Sequence, residues 1–154
     1  MSASYEGYHI WKIGDFQRRK QEAGKTSPVA CFSRPFYTSS TGYKMCGRAC
    51  LNGEGDSYGK YLSLHFVLLQ GEFDELLEFP FKHSVAISLL APKNPGRTRQ
   101  MTLVPNDETL FAYKKPTDGR NQGIGFQKFI DFRELGAYYI VEDCIYIRYN
   151  VIRA

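Results

Sequence analysis

The 154-residue sequence has no apolar run approaching ~20 residues, which excludes a membrane-spanning helix. Its first seven residues have neither a basic stretch nor an apolar one. They read as a flexible lead-in rather than a secretory signal, and a cytoplasmic, soluble chain is expected. Charge of one sign is lacking too. Lys plus Arg is 20 against 16 Asp plus Glu, so the net charge of +4 falls short of the dense basic stripe of a nucleic-acid binder. The four cysteines, at positions 31, 46, 50 and 144, form no Cys-x-x-Cys pair and have no histidine pair nearby. A zinc signature is therefore missing, and the thiols are expected to be reduced, with no metal and no cofactor. No Gly-x-Ser-x-Gly elbow, phosphate-binding loop, Gly-x-Gly-x-x-Gly or His-Glu-x-x-His is present, so the common catalytic frameworks are absent.

What is there is aromatic and strand-like. Tyr and Phe number 11 each, and hydrophobic residues make up 43% of the sequence, enough for one packed domain over residues 8–154. Residues 8–14 alternate and end on glycine. Asp15 offers an N-cap to a short basic helix over residues 16–23, which Gly24 would stop. Residues 31–38 predict short strand pieces broken at Pro35. Residues 43–51 divide into two faces, Tyr43, Met45, Gly47, Ala49 and Leu51 toward a core, and Lys44, Cys46, Arg48 and Cys50 outward. After a turn at residues 52–55, Leu62, Leu64, Phe66 and Leu68 face inward while Tyr61, Ser63, His65 and Val67 face out. Further strands are expected at 84–90, 100–104, 124–129 and 144–152. A polar linker covers residues 114–123, and a capping box at 131–134 opens a helical turn that Gly136 stops. Strand follows strand without long intervening helices. The expected fold is all-β, an antiparallel β-sandwich of about eight strands with one or two short helical turns.

Chemistry-bearing residues are few. Cys46 and Cys50 sit four apart on one strand, about 13 Å, too far for a disulfide. The paired glycines of Gly123-Ile124-Gly125-Phe126 read first as a closely approached strand and only second as a phosphate loop. The outward face is more informative. If residues 52–59 join their flanking strands as an antiparallel hairpin, Arg48, Cys50 and His65 become neighbours. An arginine among semi-apolar positions suits recognition of a carboxylate or an aromatic ring. The strand at 123–129 could then form an edge able to accept an extended peptide. An ordinary solvated sheet and a thiol hydrolase using a cysteine with His65 are the competing readings.

Ser33-Arg34-Pro35-Phe36-Tyr37-Thr38-Ser39, then Gly42-Tyr43-Lys44-Met45-Cys46, Arg48 and Leu51-Asn52-Gly53-Glu54-Gly55, form a pattern. Together with Trp11-Lys12-Ile13, Leu62-Ser63-Leu64 and Gly71-Glu72-Phe73-Asp74, it resembles the C-terminal domain of the tumour necrosis factor receptor-associated factors, within the MATH superfamily. The resemblance runs from about Tyr8 to Ile152. It implies a non-catalytic cytoplasmic adaptor that binds short linear peptides from receptor tails or adaptor proteins by edge-strand addition. It also implies a homotrimer when a coiled coil precedes the domain, although no heptads precede Tyr8 here. Arg48 matches a groove arginine, Cys50 stands where a tyrosine is common, Glu54 matches an aspartate and His65 replaces an aromatic. The resemblance further implies that the Phe111 and Ala112 backbone receives a peptide glutamate and that Tyr113 is a pocket aromatic. Gly123, Ile124, Gly125 and Phe126 would hold a peptide proline in a Pro-x-Glu motif. An assembly module, or a ubiquitin-ligase substrate-recognition MATH domain with a retuned or defunct groove, is the alternative.

Overall fold

A computed structural model describes residues 8–154; the lead-in expected at 1–7 lies outside the described residues. Nine strands occur in the order β1 (Tyr8–Ile13), β2 (Cys31–Phe32), β3 (Phe36–Tyr37), β4 (Lys44–Cys50), β5 (Tyr61–Leu69), β6 (Ser84–Leu89), β7 (Arg99–Leu103), β8 (Ile124–Asp131) and β9 (Ile145–Ile152). Three short helices, α1 (Phe16–Glu22), α2 (Leu110–Tyr113) and α3 (Phe132–Tyr138), join them. One sheet runs β1-β9-β6-β7; the other runs β2-β4-β5-β8, with β3 also paired to β4. Every named strand pairing is antiparallel. The expected sandwich is present, and its strand count exceeds eight because Pro35 splits one strand into β2 and β3: proline cannot donate to the ladder.

The period-two pattern builds the core. Ile145, Ile147 and Tyr149 of β9, Val85, Ile87 and Leu89 of β6, and Leu62, Leu64 and Phe66 of β5 are fully buried between the sheets. Removing each of these residues from water is worth about 1.5–3 kcal/mol. Tyr149 adds a polar tie, its hydroxyl donating to the His65 carbonyl at 2.8 Å, so the first sheet holds the second at the centre of β5.

Three local expectations need correction. Asp15 does not cap α1; it adopts φ 51 and pairs with Arg18 instead. The start of α1 is satisfied from far along the sequence, where Asp143 accepts from Phe16 N through its carbonyl and from Gln17 N through its carboxylate, both at 3.0 Å. At α3, Asp131 caps Glu134 N at 2.8 Å, but the box is half-made because the Glu134 carboxylate turns to Arg99. Gly136 lies inside α3 rather than ending it, since burial of Leu135 and Tyr139 carries the helix past it.

The largest correction concerns the outward face of β4 and β5. Its sidedness is as expected, with Arg48 opposite His65. Yet Cys46, Cys50, Ser63, His65 and Val67 are buried. The turn after β4 covers one end, where the Ser57 and Ser63 hydroxyls lie 3.1 Å apart, and residues 120–123 cover the other, Asn121 N donating to the Leu68 carbonyl at 2.9 Å. Both covers come from loops whose placement no strand period encodes.

Tyr113 is likewise buried in the core, and the hollow it borders lies beside Phe79, Phe81 and Leu110. Its ring stacks on Phe81 at 6.0 Å and tilts against Phe66 at 5.9 Å. Burial pushes its phenol up to about 12, and the hydroxyl meets no hydrogen-bond partner among the described residues. Tyr113→Phe is expected to stabilise the fold by about 1 kcal/mol in urea titration, because the desolvation cost of the hydroxyl goes and the ring contacts stay. A loss of about 1 kcal/mol or more would show that the hydroxyl has a partner.

Candidate functional site: a polar groove beside an edge strand

Pairing of β4 with β5 puts Arg48 and His65 face to face, and the tight connection between the strands brings Glu54 back over both. Glu54 is held by its own backbone: its N–H donates to Ser57 Oγ at 3.1 Å, and Ser57 Oγ lies 2.7 Å from the Glu54 carbonyl. The Arg48 guanidinium then takes both carboxylate oxygens, Nη2 to Oε1 at 2.9 Å and Nη1 to Oε2 at 3.1 Å. The same Nη1 lies 3.1 Å from His65 Nδ1, and His65 Nε2 lies 3.3 Å from Glu54 Oε2. A guanidinium only donates, so Nδ1 must accept, and the imidazole proton then sits on Nε2.

Electrostatics follow from this triad. The Arg48 hydrogen bonds hold the Glu54 carboxyl below its ordinary value, and Glu54 raises Arg48 in return. His65 is lowered to about 4, first by burial and then by the Arg48 charge, so it is neutral at pH 7. Burial pushes the Cys50 thiol to about 12 against the opposing pull of Arg48. A thiol that reluctant to ionise, and 0% exposed, does not serve as a nucleophile with His65. Donor atoms of Cys50, Glu54 and His65 fall within 4.8 Å of one another, a spacing that a soft cation tolerates. Arg48 already fills the role of cation there, taking both Glu54 oxygens and one His65 nitrogen.

Above the triad opens a cavity of about 570 Å³, walled by Phe32, Arg48, Glu54, His65, Val67, Arg120, Gly123 and Gln127 among others. The structure thus gathers Arg48, Glu54, His65 and Gly123; of these, the hairpin expectation concerned Arg48 and His65. Cys50 lies beneath the triad, out of reach of a ligand. Ile124, Gly125 and Phe126 stand on β8, the last strand of its sheet, half-buried beside the cavity's Gly123. Phe111, exposed, and Ala112, buried, occupy α2, tied to the cavity wall by Asn121, whose Nδ2 donates to the Ala112 and Lys114 carbonyls at 3.1 and 2.8 Å. Missed by sequence reasoning were Phe32, Arg120, Asn121 and Gln127. Three of them sit in a broken strand or a polar linker, where no periodicity marks a wall.

Among the described residues no helix is long and apolar enough to cross a membrane. The family described as TRAF/meprin, MATH domain matches residues 28–148. TNF receptor-associated factor 5 of Mus musculus is 36% identical over 152 residues, which is 97% of this chain and 27% of the relative. TNF receptor-associated factor 2 of Homo sapiens is 38% identical over 149 residues, 96% of this chain and 29% of the relative. The chain therefore spans under a third of the length of either curated relative. Among solved structures, Notothenia coriiceps TRAF5 superposes with a TM-score of 0.91 at 35% identity, covering 97% of this chain and 75% of that one. A shared sandwich, a family match over residues 28–148 and identity above 30% across almost all of the sequence lead to one conclusion: the chain belongs to the TRAF/meprin MATH domain family.

Proposed function

We propose that this protein is a cytoplasmic, non-catalytic peptide-docking domain of a signalling adaptor. An extended segment of a receptor tail or adaptor adds to the free edge of β8 and lays side chains into the cavity above Arg48. The observation that carries this reading is the juxtaposition of β8, an edge strand among the described residues, with a polar cavity whose floor is the hydrogen-bonded Arg48–Glu54 pair. Edge addition supplies main-chain hydrogen bonds, and the cavity supplies selectivity. Ile124 and Phe126 would press on a peptide proline, and the Phe111–Ala112 backbone would receive a glutamate, giving a Pro-x-Glu preference. Because a short peptide buries little area and must be ordered, single-site affinity is weak, and clustering in a trimeric scaffold would supply strength by avidity.

Fluorescence polarisation against labelled peptides with Pro-x-Glu or Pro-x-Gln-x-Thr cores tests this. Saturable binding of the first set is expected, weakened roughly tenfold or more by Arg48→Ala, which removes the guanidinium that organises Glu54 and His65. Binding of only the second set would overturn the Pro-x-Glu preference. Silence from both in a folded sample would replace peptide docking with the assembly-module reading.

A further inference from the structure

Of the seven prolines, only Pro28 follows a serine or threonine, so Lys25-Thr26-Ser27-Pro28 holds the one such step in the sequence. It lies in the loop between α1 and β2, and Ser27 is exposed. The loop is tied back to the end of α1: Ser27 N donates to the Glu22 carbonyl at 3.3 Å, and the Ser27 carbonyl accepts from Gly24 N at 3.1 Å. Beside it opens a hollow of about 240 Å³, walled by Arg18, Arg19, Glu22, Ser27, Pro28 and Cys31 among others. Its two arginines differ. Arg18 pairs with Asp15 at 3.1 Å and with Glu22 at 3.3 Å. Arg19 has no carboxylate within ion-pair distance among the described residues, and it is half-buried. Its charge is felt by Cys31, whose thiol it pulls down against the larger upward push of burial. Residues 18–27 carry four cations, Arg18, Arg19, Lys20 and Lys25, against the single carboxylate of Glu22.

We propose that Ser27 is a phosphorylation site for a proline-directed protein kinase, and that Arg19, on the wall of the same hollow, is the built-in receptor for the phosphate. The residue before a proline is held to extended backbone, the form in which a kinase cleft takes its substrate, and Pro28 has no N–H to leave unpaired there. The kinase supplies the chemistry with ATP. Ser27 Oγ forms a bond to the γ-phosphorus, and the bond from that phosphorus to the β–γ bridging oxygen breaks. ADP leaves with the electron pair, and the hydroxyl proton passes to the kinase's catalytic carboxylate. The product carries a charge of about −1.5 to −2 and three strong acceptor oxygens, beside an arginine without a carboxylate partner. Glu22 is the opposing charge on the walls, and Arg18 already pairs with it. Arg19 and Lys20 stand in the last turn of α1, where they offset the negative end of the helix. Because Arg19 is half-buried, its attraction is screened less than that of a cation in open water. Pairing with the phosphate fastens the loop to α1.

The test incubates the folded protein with ATP and a purified mitogen-activated protein kinase and maps phosphate by mass spectrometry. A synthetic peptide of residues 22–31 serves as the unfolded comparison. One phosphate on Ser27 is expected, and none after Ser27→Ala, an exposed position where the change leaves the fold intact. Phosphorus NMR then follows the second ionisation of the phosphoserine, which is expected to fall from about 6 in the peptide to about 5 in the protein. In samples that keep the wild-type circular dichroism spectrum, Arg19→Gln should return it to the peptide value and Arg19→Lys, which keeps the charge, should hold it down. Lys25→Gln, which removes an equal charge from the same loop, should move it less. Phosphate on Thr26 instead, a peptide that is modified while the folded protein is not, or failure of both to accept phosphate overturns the site. A phosphoserine that ionises at the peptide value in the wild-type protein, or a lowered value that survives Arg19→Gln, overturns the role of Arg19.

Discussion

Between pH 6.5 and pH 4 the domain is expected to lose about 3 kcal/mol of stability through His65 alone. Unfolded, this imidazole titrates near its ordinary 6.5; folded, it is held to about 4, because it is buried and its Nδ1 faces the Arg48 guanidinium. Across that window the unfolded state binds a proton that the folded one refuses, so acid favours unfolding. Below it Glu54 continues the trend. Its carboxyl is depressed by Arg48, and the stability it contributes is present above its unfolded value and disappears as pH falls through the folded one. Urea unfolding at pH 7, 5.5 and 4 on wild type and His65→Phe checks the point. Levels will differ between the two proteins, so slopes are compared. The variant should keep only the shallower dependence left by groups such as His9 and His83, which are also lowered. Parallel slopes would show that His65 protonates freely in the folded state and that the triad is looser than its distances indicate.

Gly125→Ala is expected to cost about 3 kcal/mol and to abolish peptide docking. A Cβ at this position would stand 2.1 Å from the Leu64 carbonyl oxygen and 2.5 Å from His65 Cα. Both are backbone atoms of β5, so no rotamer change relieves the clash, and β8 must lift off its partner. The effect reaches the site because β8 is both the proposed docking edge and the strand that follows the cavity's Gly123. Gly119→Ala is the control. It replaces a glycine of positive φ with nothing within 4 Å, and should cost only the backbone strain, about 1–2 kcal/mol. Comparing urea midpoints and amide protection of residues 64–66 separates the two mechanisms. If Gly125→Ala proves no worse than Gly119→Ala, the close approach of β5 and β8 is not what the glycine serves.

Arg48, Glu54 and His65 are legible as neighbours because hairpin pairing turns a spacing along the backbone into a distance in space: once residues 52–59 form the turn, register puts 48 opposite 65. Their degree of burial is not legible. Alternation assigned Cys50 and His65 to an outer surface, and on a lone sheet it would be right. Cys50 is 0% and His65 6% exposed because the turn carrying Glu54 and Ser57 and the segment carrying Asn121 fold over that surface. Asp15 and Asp143 make the same point for helix capping. The local motif favoured the residue adjacent in sequence, and the bond went to one 126 positions distant from Gln17.

Amino-acid order was enough for the class of fold, the strand sidedness, the break at Pro35 and the family to which the motif block belongs. All of these depend on periods of two, on turn chemistry or on residue identity at fixed spacing, which are properties of neighbours in sequence. Three-dimensional packing settled which polar groups are dry, that Tyr113 belongs to the core, and that Arg120 comes to rest on Phe32. These depend on where loops land on a finished sheet. That placement is set by packing and hydrogen bonding between residues remote in sequence, for which no local pattern carries a record.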